Sequence, residues 1–142
     1  MTEHIETLFP TGRGFSQVVI ARGDRQIFLA GQCAVSPSGE IMGKGDIAQQ
    51  TEQIFENIKK GLQAAGATFD DLVRMTIYVV DYTPEKRDQM QTVRDRYIAR
   101  DAGPASTLIG CQNLYTTISW LRSKCKRSFL SNRAVRTIRS EQ

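Results

Sequence analysis

Histidine is almost missing from this chain: the 142 residues contain one, His4, placed where a chain end is expected to fray. Serine and cysteine nucleophiles of the Ser-His-Asp or Cys-His type need an imidazole base held beside them, so the chain supplies no such pair. Cysteine is also scarce. The three present, Cys33, Cys111 and Cys125, are odd in number and form no Cys-x-x-Cys pair, which argues against a disulfide framework and against a zinc site. A reducing compartment is the expectation. No apolar run reaches the ~18 residues of a membrane span, and Met-Thr-Glu-His-Ile-Glu lacks the basic start and apolar core of a secretion signal. These absences point to a cytoplasmic protein with no membrane partner.

What remains is ordinary in amount. With 40% hydrophobic and 24% charged residues, 142 residues suit one domain, and folding at this size removes roughly 68–70% of the unfolded surface from water. Collagen-like and wholly disordered chains are excluded. The net charge of +4 is unevenly placed: residues 1–114 carry twelve basic against fourteen acidic side chains. Beyond Leu114, Arg122, Lys124, Lys126, Arg127, Arg133, Arg136 and Arg139 face only Glu141. The chain therefore divides into a slightly acidic body, 1–114, and an atypical basic segment, 115–142.

Within the body the pattern predicts short elements. Residues 15–22 and 26–35 are β-branched and aromatic runs around Arg22-Gly23-Asp24-Arg25, which predicts two strands and a tight turn. Asp46 is placed to cap a helix whose apolar face is Ile47, Ile54, Phe55, Ile58, Leu62 and Ala65, and Gly66 to end it. Leu72 to Asp81 alternates, with Val73, Met75, Ile77 and Val79 on one side. Thr83-Pro84 starts a second helix carrying Met90, Val93 and Tyr97 through about Arg100, and Gly103-Pro104 precedes a strand over 105–111. The order is ββαβαβ, an α+β sheet with two helices on one face. Beyond Leu114 neither period persists, which reads as a disordered basic tail or, alternatively, a nucleic-acid arm.

Local motifs carry little chemistry. Gly39-x-x-x-Gly43-Lys44-Gly45 is one residue short of a phosphate loop and has no hydroxyl residue after the lysine, so it reads as a flexible loop. Asp70-Asp71 falls between helix and strand, where acids commonly make turns. Cys33 and Cys111 fall in expected strands and read as small core residues.

Three segments together are more specific. Leu29-Ala30-Gly31-Gln32, the helix Gln53-Ile54-Phe55-Glu56-Asn57-Ile58 ending Leu62-Gln63-Ala64-Ala65-Gly66-Ala67, and the strand Val73 to Val79, extended by Pro104-Ala105, resemble the RidA/YjgF family of reactive-intermediate deaminases over about residues 14–114. The resemblance implies a chorismate-mutase-like fold, a homotrimer with a small-molecule ligand in each inter-subunit cleft, and hydrolysis of 2-imino acids to 2-oxo acids and ammonia without metal or cofactor. It also implies a guanidinium directly after the Pro-Ala, to hold the substrate carboxylate. Here that position is Ser106, followed by Thr107, so the carboxylate clamp is absent and generic imino-acid turnover is not expected. Gly31, Gln32, Ser106 and Thr107 are then the ligand-cleft candidates, with no residue assigned to catalysis and none to a metal. A non-catalytic ligand-binding or regulatory trimer is the alternative reading, and nucleic-acid binding or ribonuclease activity a third.

The last strand of the family pattern, alternating apolar and acidic, is expected to be missing or replaced. Joining the third base of each codon to the first two of the next from Thr117 to Phe129 permits Asp-Phe-Leu-Ala-Glu-Val-Glu-Val-Gln-Ala-Ile-Val. The single codon of Trp120 and the two-codon residues Lys, Cys and Phe leave little freedom for that agreement. The segment from about Thr116 onward thus reads as translated out of an ancestral frame.

Overall fold

The computed structural model describes residues 4–22, 26–114 and 128–131. Its elements run β1 (His4–Pro10), β2 (Ser16–Arg22), α1 (Ile47–Ala64), a 3-10 turn (Phe69–Asp71), β3 (Arg74–Val80), α2 (Pro84–Arg94), β4 (Ala105–Cys111) and β5 (Ser128–Ser131). The strands form one sheet in the order β1-β2-β4-β3-β5. The expected α+β class and ββαβαβ order hold, with a fifth strand added.

Helix α1 forms for local reasons. The Asp46 carboxylate accepts from the Ala48 and Gln49 amides at 2.9 and 3.0 Å, satisfying two of the amides a helix start leaves open. At the other end Gly66, with φ +72°, turns the chain while its amide and that of Ala67 bond back to Gln63 and Leu62. Ile54, Phe55, Ile58 and Leu62 then face the sheet. Strand β3 presents Met75, Ile77 and Val79 to them, all buried. Helix α2 begins as expected, with Thr83 capping and Pro84 in the first turn, and stops at Arg94, earlier than the expected Arg100. Met90 and Val93 close the core from that side.

Two early segments differ from expectation. Residues 26–35 are not a regular strand, and residues 4–10 are. Strand β1 pairs antiparallel along β2, from His4 opposite Arg22 to Pro10 opposite Ser16, and so takes the edge that a 26–35 strand would need. Residues 26–35 instead lie with Ile27 and Leu29 packed against the core, and one side chain of helix α1 meets two of their carbonyls. The Asn57 amide donates to the carbonyls of Cys33 at 3.1 Å and Val35 at 2.9 Å. His4 therefore opens a strand.

On the other edge, β5 pairs antiparallel with β3, Ser131 opposite Thr76 through Ser128 opposite Val79. A four-residue piece of the basic segment thus occupies the position beside β3. Ile118, Trp120, Leu121 and Cys125 lie outside the described residues.

Candidate functional site

Strand alternation separates the two polar candidates on β4. Ser106 pairs in register with buried Met75 and faces the helices, whereas Thr107 pairs with Thr76 on the opposite face. Gly31 and Gln32 sit half-buried in the irregular 26–35 segment, where the Gln32 amide donates to the Ala30 carbonyl at 3.0 Å. Cys33 is half-buried in the same segment and Cys111 ends β4. Asp71 caps the turn that contains it, its carboxylate accepting from the Thr68 amide at 3.0 Å, as a turn acid would.

What the expected candidates do not include is Arg94. The last residue of α2, it is 6% exposed and reaches from the helix to the floor of the sheet. Nη2 donates to the Gly14 carbonyl at 2.5 Å and Nη1 to the Ser106 hydroxyl at 3.4 Å, while Nε is buried with no hydrogen-bond partner. Burial lowers its pKa from 12.5 to about 10, partly offset by the negative charge of Asp95, so the group is cationic at neutral pH. Among the described residues no carboxylate forms an ion pair with it. Asp95 is turned to Arg100 and Gln91 instead. No sequence signal marks it: the helical stripe it shares with Arg87, Met90 and Gln91 is mostly polar, as a solvated helix face is.

Arg94 lines a cavity between α1, α2 and the β3–β4 pair. It is a small cleft partly open to solvent, and its walls include Thr51, Phe55, Ile77, Met90 and Leu108, with Arg87 and Gln91. The chemistry of the lining is aliphatic and aromatic wall plus cation.

A second polar cluster lies where the chain follows α2. The Tyr97 hydroxyl is 2.5 Å from Glu52 Oε1 and 2.8 Å from Glu56 Oε1, so its one proton is shared between two carboxylates. Its ring stacks on Phe55 with centroids 4.9 Å apart and meets Phe69 edge-on at 5.5 Å. Desolvation, reinforced by the hydrogen bonds to Glu52 and Glu56, raises the phenol pKa above its ordinary value. Arg96 pairs with Glu52 at 2.9 Å, which makes this cluster a clamp between α1 and the end of α2. Among the described residues, no group of three or more His, Cys, Asp or Glu is arranged to hold a metal, and no helix is long and apolar enough to cross a membrane.

Helices on one face of a mixed sheet define the class, and sequence comparison gives the family. The family described as Endoribonuclease L-PSP matches residues 7–119, and the chain belongs to this RidA/YjgF family. A RutC family protein of Pyrococcus abyssi is 50% identical over 56 residues, which are 39% of this chain and 43% of that one. The human 2-iminobutanoate/2-iminopropanoate deaminase is 33% identical over 67 residues, 47% of each chain. The chain thus spans about half the length of the curated relatives it matches. In structure, YyfB of the conserved Rid protein family from Yersinia pestis superposes with a TM-score of 0.78 at 26% identity, covering 92% of this chain and 98% of that one. RidA from a Psychrobacter species shares the fold at 20% identity and a TM-score of 0.60.

Proposed function

We propose that this protein is a small-molecule-binding member of the RidA/YjgF family that self-associates through the helix-free face of its sheet. We propose further that generic hydrolysis of 2-imino acids is strongly reduced in it. The observation that carries this reading is Ser106. It stands directly after Pro104-Ala105, where the deaminase branch that this chain resembles has a guanidinium, and its short hydroxyl cannot form the bidentate pair that holds a carboxylate. Losing a buried charged partner removes about 2–5 kcal/mol of binding, a factor of roughly 30 to several thousand. The human relative that is named a 2-iminobutanoate/2-iminopropanoate deaminase supports the chemical class of ligand. The exposed apolar side chains Val18, Ile20 and Ile109, all on the face away from the helices, support self-association, which in this family gives a trimer.

Turnover of 2-iminopropanoate generated in place by an amino-acid oxidase tests the reading. Ammonia is expected at close to the uncatalysed rate with the protein as it stands, and faster with Ser106→Arg. Hydrolysis by the unaltered protein that matches or exceeds the Ser106→Arg rate would overturn it.

A further inference from the structure

We propose that β5 is exchanged between copies of this chain: the β3 edge of one copy takes residues 128–131 of a second. This rests on the self-association proposed above and goes beyond it, because it names the element that passes from one subunit to the next. The path of the chain carries it. Strand β4 runs parallel to β3 and ends with Cys111 opposite Val80, whereas β5 runs antiparallel and starts with Ser128 opposite Val79. The end of β4 and the start of β5 therefore lie at the same end of the sheet, one on each side of β3. Two strand spacings, about 10 Å, separate them. The join is residues 112–127, whose extended length is about 50 Å. A handful of residues would close that connection within one chain. The surplus lets the same strand reach the β3 edge of a neighbouring copy.

The pairing of β5 supplies the other half of the argument. Strand β3 is matched to β4 over seven positions and to β5 over four, from Thr76 to Val79. A four-residue edge strand contributes few backbone hydrogen bonds, and such an element opens well below the free energy of global unfolding. Once open, it regains the same pairing on a second copy, so exchange gives up no strand contact and is driven by protein concentration. Val18, Ile20 and Ile109 on the helix-free face bring copies together, which raises the effective concentration of each β5 at its neighbour's β3. Each copy gives one strand and takes one, the head-to-tail arrangement from which closed rings are built.

Thr76 and Ser131 are register partners, so cysteines at the two positions come within disulfide reach. Full-length Thr76→Cys bearing an affinity tag is co-expressed with untagged full-length Ser131→Cys, purified through the tag, oxidised and run on a non-reducing gel. The parent chain, with its own three cysteines, gives the background. A covalent pair of one tagged and one untagged chain is expected, severalfold above that background. In the double variant Thr76→Cys/Ser131→Cys, the share of crosslinks between chains should rise severalfold from about 1 to about 100 µM protein. Val79→Cys with Ser128→Cys repeats both measurements at the other end of β5, so a first pair that fails to fold does not remove the test. Mixed pairs no stronger than background, or crosslinks confined to single chains at both concentrations, would overturn the exchange. If the protein still sediments as an oligomer in that case, self-association stands without exchange, whereas a parent that is monomeric at both concentrations overturns the two together.

Discussion

Gly103 lies so close to Gly14 that a Cβ added to it would meet the Gly14 carbonyl oxygen at 1.9 Å and the Phe15 amide nitrogen at 2.6 Å. The two loops are tied there by the Gly14 amide donating to Arg100 at 3.0 Å and the Ser16 amide donating to Pro104 at 3.2 Å. Backbone cannot retreat as a flexible side chain can, so Gly103→Ala has to push the loops apart. A loss of about 2 kcal/mol or more is expected, at the upper end of ordinary overpacking, read as a lower urea midpoint with unchanged slope.

Asn57→Ala should free residues 26–35. Its amide serves two carbonyls, and although the Cys33 carbonyl keeps the Val35 amide at 2.8 Å, the Val35 carbonyl loses the donor described for it, a loss on the order of 1–3 kcal/mol for an unmet acceptor. Faster hydrogen exchange confined to 26–35 and α1, with β3 and β4 protected as before, is the expected pattern. Uniform exchange across the sheet would contradict the local role assigned to Asn57.

The phenol of Tyr97 sets an alkaline limit. Its folded-state pKa is raised from 10.0, so above about pH 10 the unfolded chain releases the proton while the folded chain retains it. The folded state then binds more protons than the unfolded state, and stability falls as pH rises. Burial of Arg94 works in the opposite direction, since its depressed pKa relieves a cost between about 10 and 12.5. Thermal unfolding of Tyr97→Phe between pH 7 and 11 should show a smaller alkaline decline than the parent. Parallel curves for the two proteins would remove Tyr97 as the cause.

Self-association through the open face predicts that Ile109→Glu, or Val18→Glu, lowers the sedimenting mass while leaving the circular dichroism unchanged. Both residues are about two-fifths exposed and point away from the helices, so a charge there is free in the monomer and is desolvated in an assembly. A monomeric parent protein would end this reading.

The coding sequence tests the segment beyond Leu114. Read in the offset frame from Thr117, it should encode an alternating apolar and acidic strand without a stop. Restoring that frame should raise the melting temperature, as a full-length strand replaces the four-residue β5 beside β3.

Helix α1 and strand β3 were legible because local chemistry and burial agree in them: Asp46 caps, Gly66 terminates, and Met75, Ile77 and Val79 all face the core. Residues 26–35 were misread for a physical reason. Their β-branched content is real, but Asn57 and the turns after Val35 take their backbone groups, and β1 takes the edge of β2. Residues 4–10, with Glu6 and Pro10, carry a weak strand signal and take β2 as their strand partner among the described residues. Ser106 was found from the Pro-Ala motif. Arg94 was passed over because a charged residue near a helix end is ordinarily solvated, and only the packing of Gly14 and Ser106 around it shows otherwise.

Strand β2 meets β4 at a single register position, Ser16 opposite Ala105, whereas β3 and β4 are matched over seven. Mechanically this makes residues 4–22 a leaf joined to β4 by one sheet rung and otherwise by the loop bonds of Arg13, Gly14 and Ser16 to Gln91, Arg94, Arg100 and Pro104. Pulled from the amino terminus, the chain should yield in two events, with the leaf detaching when those few bonds break and the parallel β3–β4 pair and its helices rupturing afterwards.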